Sequence, residues 1–144
     1  MAELLNLTRE KSVLDVGTGS GYAAAVFARL AKSVLSIERQ PILAERAKKT
    51  LHALGYKNIT VIAGDGTLGY PSRSPYNAIA VAAAAREIPP ALLAQLADDG
   101  RLVMPIGDGY LQRMTLVVRS GQQLLNHDMG EVLFVPLVSD TATP

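Results

Sequence analysis

A glycine-rich stretch near the N-terminus is the strongest candidate for chemistry in this sequence. Asp15 is followed by three glycines spaced two apart, Gly17, Gly19 and Gly21, and Thr18 lies between the first two. Glycine permits the tight backbone angles of a strand-to-helix turn and lets a ligand approach the main chain. Backbone N–H groups at the start of such a helix favour electronegative ligand atoms. The stretch therefore predicts a small-molecule site.

Spacing separates two classes of ligand that bind to glycine loops of this kind. Dinucleotide folds use Gly-x-Gly-x-x-Gly or Ala, which would place Tyr22 where the last small residue belongs. A tyrosine there would obstruct the pyrophosphate, and no side chain suggests a hydride-site acid. An acidic residue followed by the tighter Gly-x-Gly-x-Gly is the pattern of enzymes that bind S-adenosylmethionine. We therefore expect Asp15 and loop 17–21 to bind this methyl donor, with an ordinary glycine-rich turn as the alternative.

Two further acidic positions follow predicted strands. Glu38 ends the second strand about 20 residues after the loop begins, where the acidic ribose partner of nucleotide-binding units lies. We expect Glu38 to accept from the ribose hydroxyls and its neighbour Arg39 to flank the ribose. Asp65 and Gly66 follow the third strand, and we expect them to contact the adenine amino group and a ring nitrogen. A solvated carboxylate and a simple Asp-Gly turn are the respective alternatives.

Apolar runs alternate with helical patterns along the first two thirds of the chain, which is typical of a parallel sheet. The last third predicts strands without helices between them. The predicted strands are 12–16, 34–38, 58–63, 76–82, 101–106, 114–118, 123–127 and 132–138, and the predicted helices are 21–30, one beginning at Pro41, and a short one ending at Leu96. We predict an α/β, Rossmann-like sheet, mostly parallel with an antiparallel edge hairpin and helices on both faces. Residues 1–138 form one domain in this prediction, and 139–144 a disordered tail.

The chain resembles the class I S-adenosylmethionine-dependent methyltransferases and, more narrowly, the protein-L-isoaspartate O-methyltransferase family. The resemblance runs from about Leu4 to Val138. It rests on Val13–Tyr22, Ser36–Arg39, Leu54–Asn58, Gly64–Tyr70, Pro75–Ile79, Ala82–Ala85, Ile88–Pro89, Gly100–Gly107 and Phe134–Leu137. It implies methyl transfer to the free carboxylate of L-isoaspartyl (or D-aspartyl) residues in damaged proteins, which initiates their repair. The Phe134–Leu137 segment is expected to line the mouth of the pocket.

Two departures from the family pattern concern the acceptor and one strand. Family members carry an N-terminal segment with a Gly-Gln-Thr-Ile-Ser-like motif, whose hydroxyls help hold the isoaspartyl carboxylate, and this chain contains no such motif. Its catalytic residues are therefore unassigned. Asn77 stands where the family usually has Asp, a change we expect to be structural. A truncated donor-binding module without turnover and a methyltransferase with another acceptor remain the alternatives.

Composition restricts the remaining function classes. The 144 residues contain no cysteine, which excludes disulfides, zinc–thiolate sites and thiol nucleophiles, and we expect no metal site. Lys and Arg are scattered and the net charge is +1, so we expect no nucleic-acid partner. No apolar run approaches the ~20 residues that span a bilayer. We expect a cytoplasmic protein with isoaspartyl peptides as partners, and the sequence leaves the oligomeric state open.

Overall fold

A seven-stranded sheet organises the computed structural model, which describes residues 1–140. The strands lie in the order β3-β2-β1-β4-β5-β6-β7. In chain order the elements are α1 (Ala2–Leu5), β1 (Ser12–Val16), α2 (Tyr22–Leu30), β2 (Ser33–Glu38), α3 (Pro41–Ala53), β3 (Ile59–Ala63), β4 (Tyr76–Val81), α4 (Pro90–Ala94), β5 (Leu96–Asp108), β6 (Leu111–Ser120) and β7 (Gln123–Val132). The first five strands in space are parallel and the last two pairings are antiparallel. The predicted fold class is confirmed.

Strand alternation sends the apolar side chains of the sheet into two cores, one on each face. Helices α1, α2 and α3 cover the first core, where Val13 and Val34 meet Phe27 and Leu51. The second core contains Leu14, Leu35, Ile79 and Leu102, and Leu92 of α4 packs against it. Both faces of the parallel strands are thus buried, as their continuous apolar sequences require.

The antiparallel edge differs from the prediction, beginning with β6, which at Leu111–Ser120 is longer at both ends than the predicted 114–118. Strand β5 begins at Leu96 and not at residue 101 as predicted, because residues 98–100 form an irregularity within the strand, where Asp99 adopts a φ of 58°. Strand β7 extends to Val132, beyond the predicted end at His127. The predicted strand 132–138 is wrong, since residues 133–140 make a single isolated bridge, between Ala84 and Pro136. Val135 and Leu137 bond to the backbone of Ala84 after β4 instead of forming a further strand of the sheet.

The tail predicted to be disordered begins at Ser139. Ser139 and Asp140 are described and contact Asp65, whereas residues 141–144 lie outside the described residues. Asn77, the other predicted structural position, accepts a hydrogen bond from the Ser12 backbone N–H at 2.9 Å. Its side chain thereby joins the starts of β1 and β4.

Helix α4 is only five residues long, and Leu92 is its buried residue. We therefore predict that this side chain is essential for the second core. Leu92→Ala should lower the free energy of unfolding by about 2–5 kcal/mol through lost burial and an unfilled cavity. Leu54→Ala, at a leucine that is 67% exposed, is the matched control and should cost much less. Urea unfolding monitored by circular dichroism measures both. Equal losses in the two variants would contradict this account of the core.

Candidate functional site

A cavity of about 330 Å³ opens at the carboxyl edge of the sheet. This is within the range of pockets that hold small-molecule ligands, roughly 300–1,000 Å³. It is lined by the ends of β1 and β2, the turns after β1, β2, β3 and β4, and a C-terminal segment: Val16, Gly17, Gly19, 37–40, Gly66, Ala82, Ala83 and 135–138. The position agrees with the rule that open α/β sheets bind ligands beyond the carboxyl ends of their strands.

The glycine loop forms one wall of the cavity and is anchored to β2. The backbone N–H groups of Gly17 and Thr18 both donate to the Ile37 carbonyl oxygen, at 2.9 and 3.3 Å. Gly17, Gly19 and Gly21 all have positive φ angles, 96°, 52° and 92°, which residues with a Cβ rarely adopt. The predicted loop residues Gly17 and Gly19 line the cavity, whereas Gly21 caps the start of α2.

Glu38 lies at the end of β2 with its carboxylate facing the loop. Oε1 accepts from the Gly19 N–H and Oε2 from the Gln40 N–H, both at 3.2 Å. The residue is 9% exposed, so its carboxylate is an oriented acceptor at the cavity wall and not a solvated surface group. Two anionic oxygens held side by side can accept from a pair of neighbouring hydroxyls.

Asp65 caps the short 3-10 turn that follows β3. Its Oδ1 accepts from the backbone N–H and the hydroxyl of Thr67, at 3.0 and 2.7 Å. Its Oδ2 accepts from the Ser139 hydroxyl and the Asp140 N–H, each at 3.1 Å. Partial burial acts to raise the pKa of the Asp65 carboxyl, but the hydrogen bonds from Thr67, Asp140 and Ser139 outweigh it and lower the pKa. The carboxylate is thus fixed in its charged form.

Gly66 follows Asp65 and contacts the end of β1. A Cβ at this position would lie 2.3 Å from Cγ1 of Val16, closer than real Cβ atoms approach a neighbour. Only glycine fits without displacing Val16. The residue brings the turn after β3 against the glycine loop, so that both line one cavity.

Arg39, predicted to flank a ribose, lines the cavity beside Glu38. Its Nε lies 3.0 Å from Oδ1 of Asp140. Because both side chains are about half exposed, this ion pair contributes little to stability. Asp140 therefore links Arg39 after β2 with Asp65 after β3. The segment 135–138 precedes these contacts and lines the cavity, as expected for the region of Phe134–Leu137.

The side chains of Asp15 and Thr18 lie beneath the loop backbone, and neither residue lines the cavity. Both are buried, and both contact the hydroxyl of Ser36, which is completely buried in β2. The Ser36 hydroxyl donates to Oδ2 of Asp15 at 2.7 Å and lies 2.5 Å from the Thr18 hydroxyl. The sequence predictions missed Ser36 as a site residue. A hydroxyl in an otherwise apolar buried strand is the signal that could have found it.

Burial raises the pKa of Asp15 to about 7, although the hydrogen bond from Ser36 lowers it, and the nearby charge of Glu38 adds a further increase. The group therefore titrates near neutral pH. Glu38 is the charged group that acts on the Asp15 carboxyl. The residues beside Asp15 in the sheet, Ser36 of β2 and Ala80 of β4, carry no charge.

Other features of the described residues offer less chemistry. A groove of about 550 Å³ between α2 and α3 is lined mainly by apolar and aromatic side chains and has no carboxylate in its walls. Both histidines, His52 and His127, are exposed. Within residues 1–140 no cluster of His, Asp and Glu is suited to hold a metal ion, and no helix is long and apolar enough to cross a bilayer.

Comparison with known proteins shows which family the chain resembles. The family model for protein-L-isoaspartate (D-aspartate) O-methyltransferase matches residues 1–142. The chain belongs to this family. A protein-L-isoaspartate O-methyltransferase of Syntrophobacter fumaroxidans is 50% identical over 138 residues, which cover 96% of this chain and 64% of that protein. The chain thus spans a little under two thirds of the length of the curated relatives it matches first.

Two solved structures of the family share the fold. A protein-L-isoaspartate O-methyltransferase superimposes with a TM-score of 0.86 at 31% identity, over 93% of this chain and 44% of the other. The Plasmodium falciparum family protein, solved in complex with S-adenosyl-L-homocysteine, gives a TM-score of 0.78 at 25% identity, over 95% of this chain and 70% of the other. The architecture seen here is therefore that of the family.

The raised pKa of Asp15 predicts a pH-dependent stability. Between the ordinary value of 3.8 and about 7, folded Asp15 keeps a proton that the unfolded chain has released. The free energy of unfolding from this group therefore falls as pH rises through that window, by about 1.4 kcal/mol per pH unit at most. It changes no further above pH 7. The physical cause is the free energy needed to bury the ionised carboxylate of Asp15.

Urea unfolding of the wild type and Asp15→Asn at pH 5, 6, 7 and 8 measures this effect. Asparagine does not ionise, so the difference between the two proteins should shift in favour of the variant as pH rises to 7 and then become constant. Parallel pH profiles would contradict a raised pKa for Asp15.

Proposed function

We propose that this chain binds S-adenosylmethionine in the cavity at the carboxyl edge of the sheet. The observation that carries the proposal is that the glycine loop, Glu38 and Gly66 meet around one cavity, with Asp65 next to Gly66 in the turn after β3. Support comes from family membership and from the Plasmodium falciparum relative, which holds S-adenosyl-L-homocysteine. The residues proposed to hold the donor are those predicted from the sequence, with Asp15 and Thr18 acting from beneath the loop.

Each proposed contact uses a group that is already oriented. Glu38 would accept from the two ribose hydroxyls, in exchange for or alongside the backbone N–H groups that it now accepts from. Asp65 would accept from the adenine amino group, and the Gly66 N–H would reach a ring nitrogen. Since the Asp65 carboxylate already has four donors, the Ser139 and Asp140 contacts to Oδ2 are those that an adenine would have to share or replace.

The proposed reaction is methyl transfer to the free carboxylate of an L-isoaspartyl or D-aspartyl residue. A carboxylate oxygen attacks the methyl carbon, the carbon–sulfur bond breaks, and its electron pair stays on sulfur. The products are a methyl ester and a thioether. A carboxyl of pKa ~4 is already ionised at neutral pH, so no general base is needed. The absence of a buried histidine near the cavity is compatible with this chemistry, in which alignment and exclusion of water supply most of the acceleration.

Acceptor binding requires groups beyond those that hold the donor. Segment 135–138 lines the cavity beside the residues proposed to hold the donor, and the sequence contains no hydroxyl motif of the kind that the resemblance implies for the acceptor. Because the chain spans 64% of the Syntrophobacter fumaroxidans relative, a donor-binding module without turnover is the second candidate.

Damaged proteins with isoaspartyl residues are the proposed partners. The cytoplasm, expected from the sequence, is the proposed compartment.

Donor binding is predicted to depend on Glu38. Glu38→Ala should weaken S-adenosylmethionine binding by about tenfold or more, because it removes the acceptor of two ligand hydroxyls. Isothermal titration calorimetry measures the dissociation constant. Glu45→Ala is the matched control, because Glu45 is an exposed glutamate of α3 outside the cavity. Wild-type affinity in Glu38→Ala would remove the ribose role, and no binding by the wild type would refute donor binding altogether.

Methyl transfer distinguishes an enzyme from a donor-binding module. Labelled methyl groups should be transferred to a peptide containing L-isoaspartate and not to its twin with a normal aspartate. The label should be released by mild base, as expected for a methyl ester. Saturable donor binding without transfer to either peptide would support the module. Equal transfer to both peptides would point to a different acceptor.

A further inference from the structure

A buried chain of hydrogen bonds joins the glycine loop to the centre of the sheet. Its members are Asp15, Ser36 and Thr18, with exposures of 1%, 0% and 3%. None of the three lines the cavity, although their neighbours Val16, Gly17 and Ile37 do. The three hydrogen-bonded residues therefore lie one layer beneath the surface that a bound methyl donor would contact.

We propose that Ser36 is a positioning residue for the methyl donor, because it links Asp15 in β1 to Thr18 in the loop and thereby fixes the loop backbone. The inference rests on the proposed donor-binding function and extends it to a residue that cannot touch the ligand. Ser36 lies directly opposite Asp15 in the parallel register of β1 and β2. The link therefore follows from strand pairing.

The number of hydroxyl hydrogens determines which group donates in each hydrogen bond between Asp15, Ser36 and Thr18. Ser36 has one hydroxyl hydrogen, and it is used in the bond to Oδ2 of Asp15. Its oxygen must then accept from the Thr18 hydroxyl, which lies 2.5 Å away. Only a side chain that both donates and accepts can occupy this position. An ionised Asp15 strengthens the first bond, since charge-assisted hydrogen bonds are the stronger class.

The loop depends on β2 through three consecutive residues. The Ser36 hydroxyl bonds to the Thr18 side chain, the Ile37 carbonyl accepts from the Gly17 and Thr18 N–H groups, and the Glu38 carboxylate accepts from the Gly19 N–H. Of these, Glu38 is the group proposed to turn to the ribose. Ser36 would then provide the remaining side-chain contact to the loop. Thr18 lies between two glycines with positive φ. Because glycine has the largest conformational entropy in the backbone, this part of the loop most needs a contact that fixes it.

Variants at Thr18 and Ser36 test the link without changing any group at the cavity surface. Thr18→Val removes the hydroxyl and keeps the shape, whereas Thr18→Ser keeps the hydroxyl. We expect Thr18→Val and Ser36→Ala each to weaken S-adenosylmethionine binding by about tenfold, and Thr18→Ser to stay within about threefold of the wild type. The double variant Thr18→Val/Ser36→Ala should bind no more weakly than the weaker single variant, because both remove one link.

The pH profile of binding is a second readout that a merely structural role would not move. Ionised Asp15 strengthens the hydrogen bond from Ser36. The affinity of the wild type for S-adenosylmethionine should therefore fall as the pH drops below about 7. Ser36→Ala removes the link through which Asp15 acts on Thr18, so its affinity should already be weak at pH 8 and should change little as the pH drops. Asp15→Asn should remove the fall. Glu38, the charged group acting on Asp15, is retained in all of these variants.

The outcomes distinguish this inference from the proposed function. Calorimetry at pH 8, with folding of each variant checked by thermal unfolding, gives the comparison. If the wild type binds and Ser36→Ala or Thr18→Val binds equally well, the positioning role is overturned while donor binding stands. The same holds if Thr18→Ser is as weak as Thr18→Val or if the double variant is additive. If Ser36→Ala does not fold, the Thr18 pair decides. A wild type that does not bind overturns both.

Discussion

The parallel pairing of β1 with β2 is the constraint on which the candidate site depends. It places Asp15 opposite Ser36 and Val16 opposite Ile37, so that the chain leaving β1 runs directly over the end of β2. The glycine loop can then bond to the Ile37 carbonyl through two successive N–H groups. A shift of the register by one residue would turn Ser36 away from Asp15 and move every side chain of β2 to the other face. The loop, the cavity and the buried polar chain thus share one origin.

The site separates groups that can face a ligand from groups that hold them in place. Glu38 and Asp65 present carboxylates at the edge of the sheet, each already oriented by backbone N–H groups. Asp15, Ser36 and Thr18 lie beneath them and bond to one another. Acceptors held in position before binding lose little conformational entropy when a ligand arrives. A buried network of this kind has to be complete, because each unpaired member would be costly in the low-dielectric interior.

The C-terminal segment gives the cavity a wall that the parallel strands do not supply. Val135 and Leu137 exchange backbone hydrogen bonds with Ala84, so the segment crosses the carboxyl edge beyond β4. It ends with Asp140 bonded to both Arg39 and Asp65, which lie after β2 and β3. The last described residues therefore hold the turns of three strands together. This arrangement connects residues more than 70 positions apart in the chain.

Local sequence patterns were sufficient to predict the parallel strands, the glycine loop and the acidic residues at strand ends, because strand alternation and turn geometry are set by neighbouring residues. They placed Gly17, Gly19, Glu38 and Gly66 around one edge of the sheet, and the structure brings all four to one cavity. They did not predict the irregularity at Asp99, the single bridge at Pro136 or the bonds of Asp140. Only the tertiary structure decided that Asp15 and Thr18 lie beneath the cavity with Ser36 between them, since that depends on which strands are neighbours and in what register.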